Sequence, residues 1–176
     1  DWCPSRGLGD VYKRQLLKLF DSVPSVKALK DWSNDPMLHE RHIKTFQSLP
    51  NPINVLTTHS SWLMASLSMG ANGLLSGAGS VIVDLQISLF QAIKNKKLEL
   101  AQTINDQIFP LTQVFYSAPF LDMHNRMKEA LVILGRTDKA YVRPPLCKLS
   151  KYEIKKIENA LKAADIGHEL EIIEKT

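Results

Sequence analysis

The sequence predicts an α/β fold in which strands and helices alternate, followed by a purely helical region. Up to about residue 96, short apolar runs, one of them rich in β-branched residues, alternate with segments whose apolar residues recur every three or four positions. Such alternation is typical of βαβ units around a parallel sheet. Beyond residue 97 only the helical spacing recurs, so we expect the second part of the chain to consist of helices.

The first predicted strand is the run SVKAL, residues 25–29, and Lys30 stands at its end. It follows LLKLFDSVP, residues 16–24, which we expect to be the end of a helix. The next helix is predicted in DPMLHERHIKTFQSL, residues 35–49, since its proline falls in the first turn, where a helix needs no N–H donor.

Two further strands and two further helices follow in alternation. INVLTT, residues 53–58, reads as a strand, and SSWLMASLSMG, residues 60–70, as a short helix that begins at serine and ends at glycine. GLLSGAG, residues 73–79, is predicted as the third strand, and residues 80–97 as an amphipathic helix.

The helical region is predicted to contain three more helices and an extended linker over residues 142–149. The helices are expected at residues 98–116, at residues 122–135, and from Ser150 onwards. Pro110 is expected to kink the first of them. Ser150 with Glu153 three residues later matches a capping box, which predicts the start of the last helix.

Composition excludes several classes of protein. Hydrophobic content of 44% and charged content of 23% are ordinary for a globular chain of 176 residues. The net charge of +4 is mild, and basic residues are interspersed with acidic ones, so we expect no nucleic-acid partner. Residues 60–83 carry no charge but contain four glycines and six serines, and we therefore expect no membrane span there.

Domain organisation is predicted from these shifts in composition and periodicity. Residues 1–15 lack a starting methionine and show no periodicity, so we interpret them as a non-native leader or assembly scar. The expected divisions are the leader at 1–15, the last βα units at 16–96, the helical region at 97–166 and a tail at 167–176. Outside the leader Cys147 stands alone, which favours a reducing, cytoplasmic setting.

Five motifs in order carry a family resemblance. They are ALKDWSND, VLTTHSS, GANGLLSGAGSV, MKEALVILG and VRPPL. Together they resemble the C-terminal half of the dihydrodipicolinate synthase and N-acetylneuraminate lyase family, over roughly residues 16–166. The resemblance implies that the chain forms the last three βα units of a (β/α)8 TIM barrel, followed by C-terminal helices.

The resemblance also implies an activity. The family's Schiff-base lysine falls on Lys30, which implies a class I aldolase or lyase acting on pyruvate or a related 2-keto acid, together with an aldehyde. The covalent imine requires no cofactor, and we expect no metal site. Kinship further implies a homo-oligomer, a tetramer. Two alternatives remain open: a sugar-acid dehydratase of the same family, and a non-catalytic scaffold.

Strand parity distinguishes the two lysines of the first strand. Val26, Ala28 and Lys30 share one face, whereas Lys27 belongs to the other. If the first face looks into a barrel, the amine of Lys30 stands at the mouth of a partly dry cavity, where a neutral amine can attack a ketone. Lys27 is expected to point outward and to place its stem along the surface.

Five other residues are candidates for substrate contacts. They are Trp32, Thr58, His59, Ser60 and Leu75. The indole of Trp32 would either wall the substrate pocket or anchor a packed loop. His59 would hydrogen-bond the second substrate, shuttle a proton or be satisfied by local backbone. The family often carries glycine and acidic residues at positions 58–60, so this departure leaves the second substrate open.

Two short sequences resemble a dinucleotide-binding motif and a zinc-protease motif but do not match them. The sequence GAGSVI has Ile82 where a dinucleotide fingerprint needs a small residue. His39 and His42 are three residues apart, not the four of a zinc-protease helix, and we expect both on a solvated helix surface.

The family's tyrosine relay and the loop that binds the keto-acid carboxylate are expected upstream of residue 16. The chain alone is therefore predicted to be an inactive fragment of an active parent.

Overall fold

The structure is a computed structural model that describes residues 14–166. These residues form two compact units, and the division lies between Leu75 and Ser76. The boundary expected from the sequence, at residues 96 and 97, lies later in the chain. The two divisions differ because the helix that follows the third strand packs against the helices of the second unit.

The first unit alternates helices and strands as the sequence predicted. Its described elements are α1 (14–22), β1 (Ala28–Asp31), α2 (Pro36–Phe46), β2 (Asn54–Thr57), a 3-10 turn (Ser60–Trp62), α3 (Leu63–Ser68) and β3 (Gly73–Leu74). Among the described residues the strands form one sheet in the order β1-β2-β3, with parallel pairing throughout. The prediction of an α/β fold with a parallel sheet is therefore confirmed.

The register of the sheet defines two faces. Lys30 pairs with Leu56, and Asp31 pairs with Thr57. Because successive residues of a strand point to opposite faces, Lys30 and Leu56 share one face while Asp31 and Thr57 share the other. Asp31 and Thr57 are buried, whereas Lys30 is exposed.

Helix α2 covers the buried face. Its first turn is capped by Asp35, whose carboxylate accepts hydrogen bonds from the backbone N–H groups of Met37 and Leu38. Pro36 occupies the first turn as expected. The apolar residues at the centre of this unit are almost completely buried: Ile43, Phe46, Ile53, Val55, Leu63 and Leu67.

The second unit is helical. Its elements are α4 (Gly79–Lys94), α5 (Leu98–Phe115), a 3-10 turn (Phe120–Asp122), α6 (Met123–Ile133) and α7 (Lys151–Ala163). Helix α5 packs against α4, α6 and α7. The side chains at its centre include Leu89, Ile108, Leu111, Phe115, Met127 and Ile157.

Most local sequence signals at the helix ends are confirmed, but the helix predicted to begin at Ser60 starts as a 3-10 turn without a side-chain cap, and α3 begins at Leu63. Ser150 accepts a hydrogen bond from the backbone N–H of Glu153, and the Glu153 carboxylate accepts from the backbone N–H of Ser150. Gly70 and Gly135 follow α3 and α6 with φ of 107° and 64°, a conformation that costs glycine little. Pro110 lies inside α5 as expected.

The third strand and α4 differ from the prediction. Strand β3 covers only Gly73 and Leu74, and turn backbone follows from Ser76. Glycine and serine in this stretch offer little side chain to pack on a sheet, which explains the early end of the strand. Helix α4 is interrupted by non-helical backbone angles at Ile82.

Buried Arg126 hydrogen-bonds the backbone at the C-terminal end of α5. Its guanidinium donates hydrogen bonds to the backbone carbonyls that follow or end this helix, those of Phe115, Ser117, Ala118 and Pro119. It also lies 3.6 Å from a carboxylate oxygen of Glu153. The charge is therefore buried but hydrogen-bonded, as buried charges must be.

None of the helices within residues 14–166 combines the length and the apolar character that crossing a bilayer requires.

Candidate active-site lysine and a buried histidine cluster

Lys30 lies at the penultimate position of β1, near the carboxyl end of a parallel strand. Its side chain is exposed in the described structure, on the sheet face that it shares with Leu56. Lys27, which precedes the strand, is exposed as well. An exposed amine at a strand end is accessible to a small carbonyl compound, which is the first requirement for imine formation.

The next residue, Asp31, faces the opposite way and is 3% exposed. One carboxylate oxygen, Oδ2, accepts hydrogen bonds of 2.8 Å from Nδ1 of His39 and from Nδ1 of His42. The other oxygen, Oδ1, accepts a 2.8 Å hydrogen bond from the backbone N–H of Ser33. The carboxylate is thus held by three donors in the interior of the first unit.

His39 and His42 are buried, so the interpretation of these residues as solvated helix surface is wrong. Both project from α2 toward Asp31, and Nε2 of His39 lies 2.7 Å from the hydroxyl oxygen of Ser66 in α3. The reason is that α2 packs on the face of β1 that carries Asp31. Polar side chains can occupy that face because the carboxylate accepts a hydrogen bond from one nitrogen of each ring. Nε2 of His42 has no hydrogen-bond partner among the described residues.

His59 completes the cluster from the end of β2. Its ring stacks on the indole of Trp62, with centroids 4.2 Å apart and planes inclined by 15°. It also meets the ring of His39 edge to face, at a centroid distance of 4.9 Å. Nε2 of His59 lies 3.7 Å from Oδ1 of Asp31, which is beyond hydrogen-bonding range.

The environment of Asp31 favours its ionised form. Burial by itself would raise the pKa of the Asp31 carboxyl, but hydrogen bonds from His39, His42 and the Ser33 amide, together with the nearby ring of His59, outweigh burial. Together they hold the pKa of Asp31 well below its usual range. A negative charge therefore sits among imidazole rings at neutral pH. We call Asp31, His39, His42 and His59 the Asp31 cluster.

The predicted substrate contacts are placed in different surroundings. Trp32 and Leu75 are 53% and 52% exposed, and Thr58 is partly exposed. His59 and Ser60 are buried. The structure gathers His59 with Asp31 and not with Lys30, and its ring nitrogens are not satisfied by backbone. The substrate-contact roles remain predictions.

The sequence contained a signal for the buried cluster. His39, His42, Ile43 and Phe46 recur at spacings of three, one and three residues, the pattern of one helix face. All four are buried. The sequence of the helix could not identify the hydrogen-bond partner of His39 and His42, because Asp31 lies on strand β1.

The family model described as "Dihydrodipicolinate synthetase family" matches residues 3–164. The chain belongs to this family. The match covers nearly the whole chain, including residues before the expected range of 16–166. The correspondence to the C-terminal half of the family stays a prediction. The match begins inside residues 1–15, the stretch interpreted as a leader, most of which lies outside the described residues.

Individual members of the dihydrodipicolinate synthetase family resemble the chain over part of their length. The 4-hydroxy-tetrahydrodipicolinate synthase of Sulfurimonas denitrificans is 26% identical over 165 residues, which are 93% of this chain and 52% of that protein. The putative 2-dehydro-3-deoxy-D-gluconate aldolase YagE of Escherichia coli is 26% identical over 135 residues, 76% of this chain and 43% of that protein. The chain thus spans about half the length of these family members.

Solved structures of similar proteins share the fold. The structure of YagE from E. coli in complex with pyruvate superposes with a TM-score of 0.74 at 22% identity, covering 85% of this chain and 49% of that one. N-acetylneuraminate lyase from Fusobacterium nucleatum gives a TM-score of 0.69 at 22% identity, covering 85% and 48%. These likenesses support the α/β architecture described above.

Proposed function

We propose that this chain is part of a class I aldolase or lyase that binds pyruvate or a related 2-keto acid as an imine on Lys30. The observation that carries the proposal is the position of Lys30, exposed near the carboxyl end of a parallel strand in a member of the dihydrodipicolinate synthetase family. Several relatives are named as synthases or an aldolase, and one was solved with pyruvate.

The proposed chemistry begins with the neutral amine of Lys30. Its nitrogen attacks the keto carbon, water leaves, and an iminium forms. The iminium withdraws electrons from the adjacent carbon, which loses a proton to give an enamine. The enamine carbon then bonds to the carbonyl carbon of an aldehyde, and water hydrolyses the new iminium to release product and regenerate the amine. Cleavage runs through the same steps in reverse.

The dry cavity that such a lysine needs is also part of the proposal. Lys30 stands on the sheet face opposite to α2, and Ala28 on the same face has a small side chain. We propose that in the full-length enzyme further strands close a (β/α)8 barrel over this face. The chain described here would then supply the last three βα units and the C-terminal helices.

Three companion proposals follow from the resemblance. The full-length enzyme is a cytoplasmic homo-oligomer that needs no cofactor. Trp32, Thr58 and Leu75, which are at least partly exposed, line the approach of the second substrate. The chain of 176 residues alone lacks turnover, because the tyrosine relay and carboxylate-gripping loop expected upstream would be missing.

The test is borohydride trapping on the full-length protein. Incubation with pyruvate and borohydride should reduce the imine to a stable secondary amine, detected by peptide mass spectrometry at Lys30. Lys30→Arg should abolish the adduct, while Lys27→Arg, which alters a second exposed lysine of the same segment, should leave it. A folded enzyme that forms no adduct, or forms it on Lys27, would refute the assignment.

Product analysis distinguishes the dehydratase alternative. A dehydratase would form the same imine on Lys30 but release water and a deoxygenated keto acid, whereas an aldolase changes the number of carbon atoms in the product. The scaffold alternative predicts no adduct and no loss of function when Lys30 is replaced by alanine.

A further inference from the structure

His59 is buried, but its ring nitrogens have no hydrogen-bond partner among the described residues. The residue is 2% exposed, and among the described residues neither Nδ1 nor Nε2 makes a hydrogen bond. Leaving a buried polar group unpaired costs roughly 1–3 kcal/mol. The ring is nevertheless fixed in place by stacking on Trp62. Imidazole and carboxylate are both side-chain groups that bind metal ions in proteins.

The ligand atoms of the Asp31 cluster converge. One ligand atom each from Asp31, His39 and His59 can be chosen so that all lie within 4.8 Å of one another, and all three residues are buried. Ligands around a tetrahedral ion with bonds of about 2.0–2.1 Å lie roughly 3.3 Å apart. Small side-chain rotations would bring the three atoms to that spacing.

The partners outside the ligands already orient them. The backbone N–H of Ser33 holds Oδ1 of Asp31, and Ser66 contacts Nε2 of His39. If the proton of a neutral His39 ring moves from Nδ1 to Nε2, Nε2 donates to the Ser66 hydroxyl oxygen and Nδ1 offers its lone pair to a metal. Hydrogen bonds of this kind accompany metal-bound histidines and fix their orientation.

We propose that Asp31, His39 and His59 form a buried binding site for a divalent transition metal, with Zn²⁺ as the ion whose ligand preference fits best. Two imidazoles and one carboxylate suit Zn²⁺ in both ligand type and charge. The hard ions Mg²⁺ and Ca²⁺ prefer oxygen ligands throughout. This proposed site differs from the sequence expectation of no metal site.

His42 is a positioning residue in this proposal. Its Nδ1 donates to the same carboxylate oxygen as His39, at 2.8 Å, and it lies one helical turn further along α2. Once the ion draws His39 toward itself, His42 keeps the carboxylate oriented. Removing such an orienting partner weakens metal affinity by about 10–100-fold without abolishing the site.

The site stands independently of the imine chemistry. Asp31 and Lys30 are neighbours in β1 and point to opposite faces of the sheet. The ion would join β1, α2 and the segment after β2 on the buried side. It would therefore stabilise the fold of the first unit and would not contact the substrate.

The experiment measures metal binding to the purified 176-residue chain. After EDTA treatment and dialysis, titration with Zn²⁺ against a chromophoric chelator should give one ion per chain. Co²⁺ in its place should give the intense visible absorption of a tetrahedral site. At a Zn²⁺ concentration 100 times the dissociation constant, Tm should rise by about 5–10 °C.

Variants assign the site to its residues. His59→Gln should lose the stoichiometric ion and the Tm shift, and His42→Gln should retain one ion with weaker affinity. His124→Gln, which removes an exposed histidine of α6, is the matched control and should bind as the unaltered chain does. Equal binding by His59→Gln and the unaltered chain would overturn the proposal.

A second measurement protects the test against unfolding of the variants. In the unaltered chain, nitrogen NMR of the imidazole rings should show the His39 and His59 resonances shifting on Zn²⁺ addition while His124 stays in place. A folded chain that binds no Zn²⁺ at micromolar concentrations, or binds it through His124, would refute the site.

Discussion

The Asp31 carboxylate is expected to stabilise the first unit mainly by satisfying buried donors. It accepts hydrogen bonds from His39 Nδ1, His42 Nδ1 and the Ser33 N–H, each at 2.8 Å. Asp31→Ala removes every one of these acceptors and adds a small cavity. Asp31→Asn preserves the shape and leaves one oxygen for Ser33, while its amide can donate to both rings in their other tautomers.

The two substitutions should therefore differ in cost. A buried donor left without an acceptor costs roughly 1–3 kcal/mol. Asp31→Ala leaves three donors without their acceptor, and two of these donors are on rings that can change tautomer. We therefore expect Asp31→Ala to lower the free energy of unfolding by about 3–5 kcal/mol. For Asp31→Asn, which loses the charge but keeps partners, we expect about 1–2 kcal/mol.

Urea unfolding followed by circular dichroism measures both values, with EDTA present so that no ion contributes. Asp84→Ala, at an exposed position of α4, is the control and should change stability by less than about 0.5 kcal/mol. Equal losses for Asp31→Asn and Asp31→Ala would show that charge, and not donor satisfaction, governs the cluster. A loss below about 1 kcal/mol for Asp31→Ala would refute the reasoning altogether.

Two further substitutions test the second unit in the same unfolding assay. Ser150→Ala removes the capping box with Glu153 and should cost about 1 kcal/mol, while Ser150→Asp should restore most of it; no difference between the two would contradict the capping role. Arg126→Met removes hydrogen bonds to four backbone carbonyls and should cost about 3–5 kcal/mol. Arg143→Met at an exposed position should be nearly neutral, and equal effects at the two arginines would refute the structural role of Arg126.

Sequence reasoning predicted the elements whose cause is local. The capping box at Ser150, the proline in the first turn of α2 and the glycines after α3 and α6 each act within a few residues of the helix end they define. The two longer strands, β1 and β2, were predicted for a similar reason, because a short apolar run between turn residues indicates a strand without reference to the rest of the chain. The order of these elements was sufficient to predict a parallel sheet.

The Asp31 cluster could not be predicted because its cause is not local. The sequence HERH reads as polar, and only the packing of α2 on β1 places His39 and His42 against a carboxylate from another element. The same limit applies to His59, which was considered as a substrate contact, a proton shuttle or a histidine satisfied by local backbone, and not as a neighbour of a buried acid. A helix face on which histidines continue an apolar stripe is the sign that a buried acid should be sought nearby.

Lys30 and Asp31 are consecutive residues of β1, so the face on which Lys30 lies depends on the face on which Asp31 is held. Sliding β1 by a single residue against β2 would exchange them, driving an ammonium into the interior and leaving a carboxylate outside. The hydrogen bonds from His39 and His42 to Asp31 therefore stabilise the observed register of β1 against β2. That register also keeps Lys30 on the exposed face of the sheet.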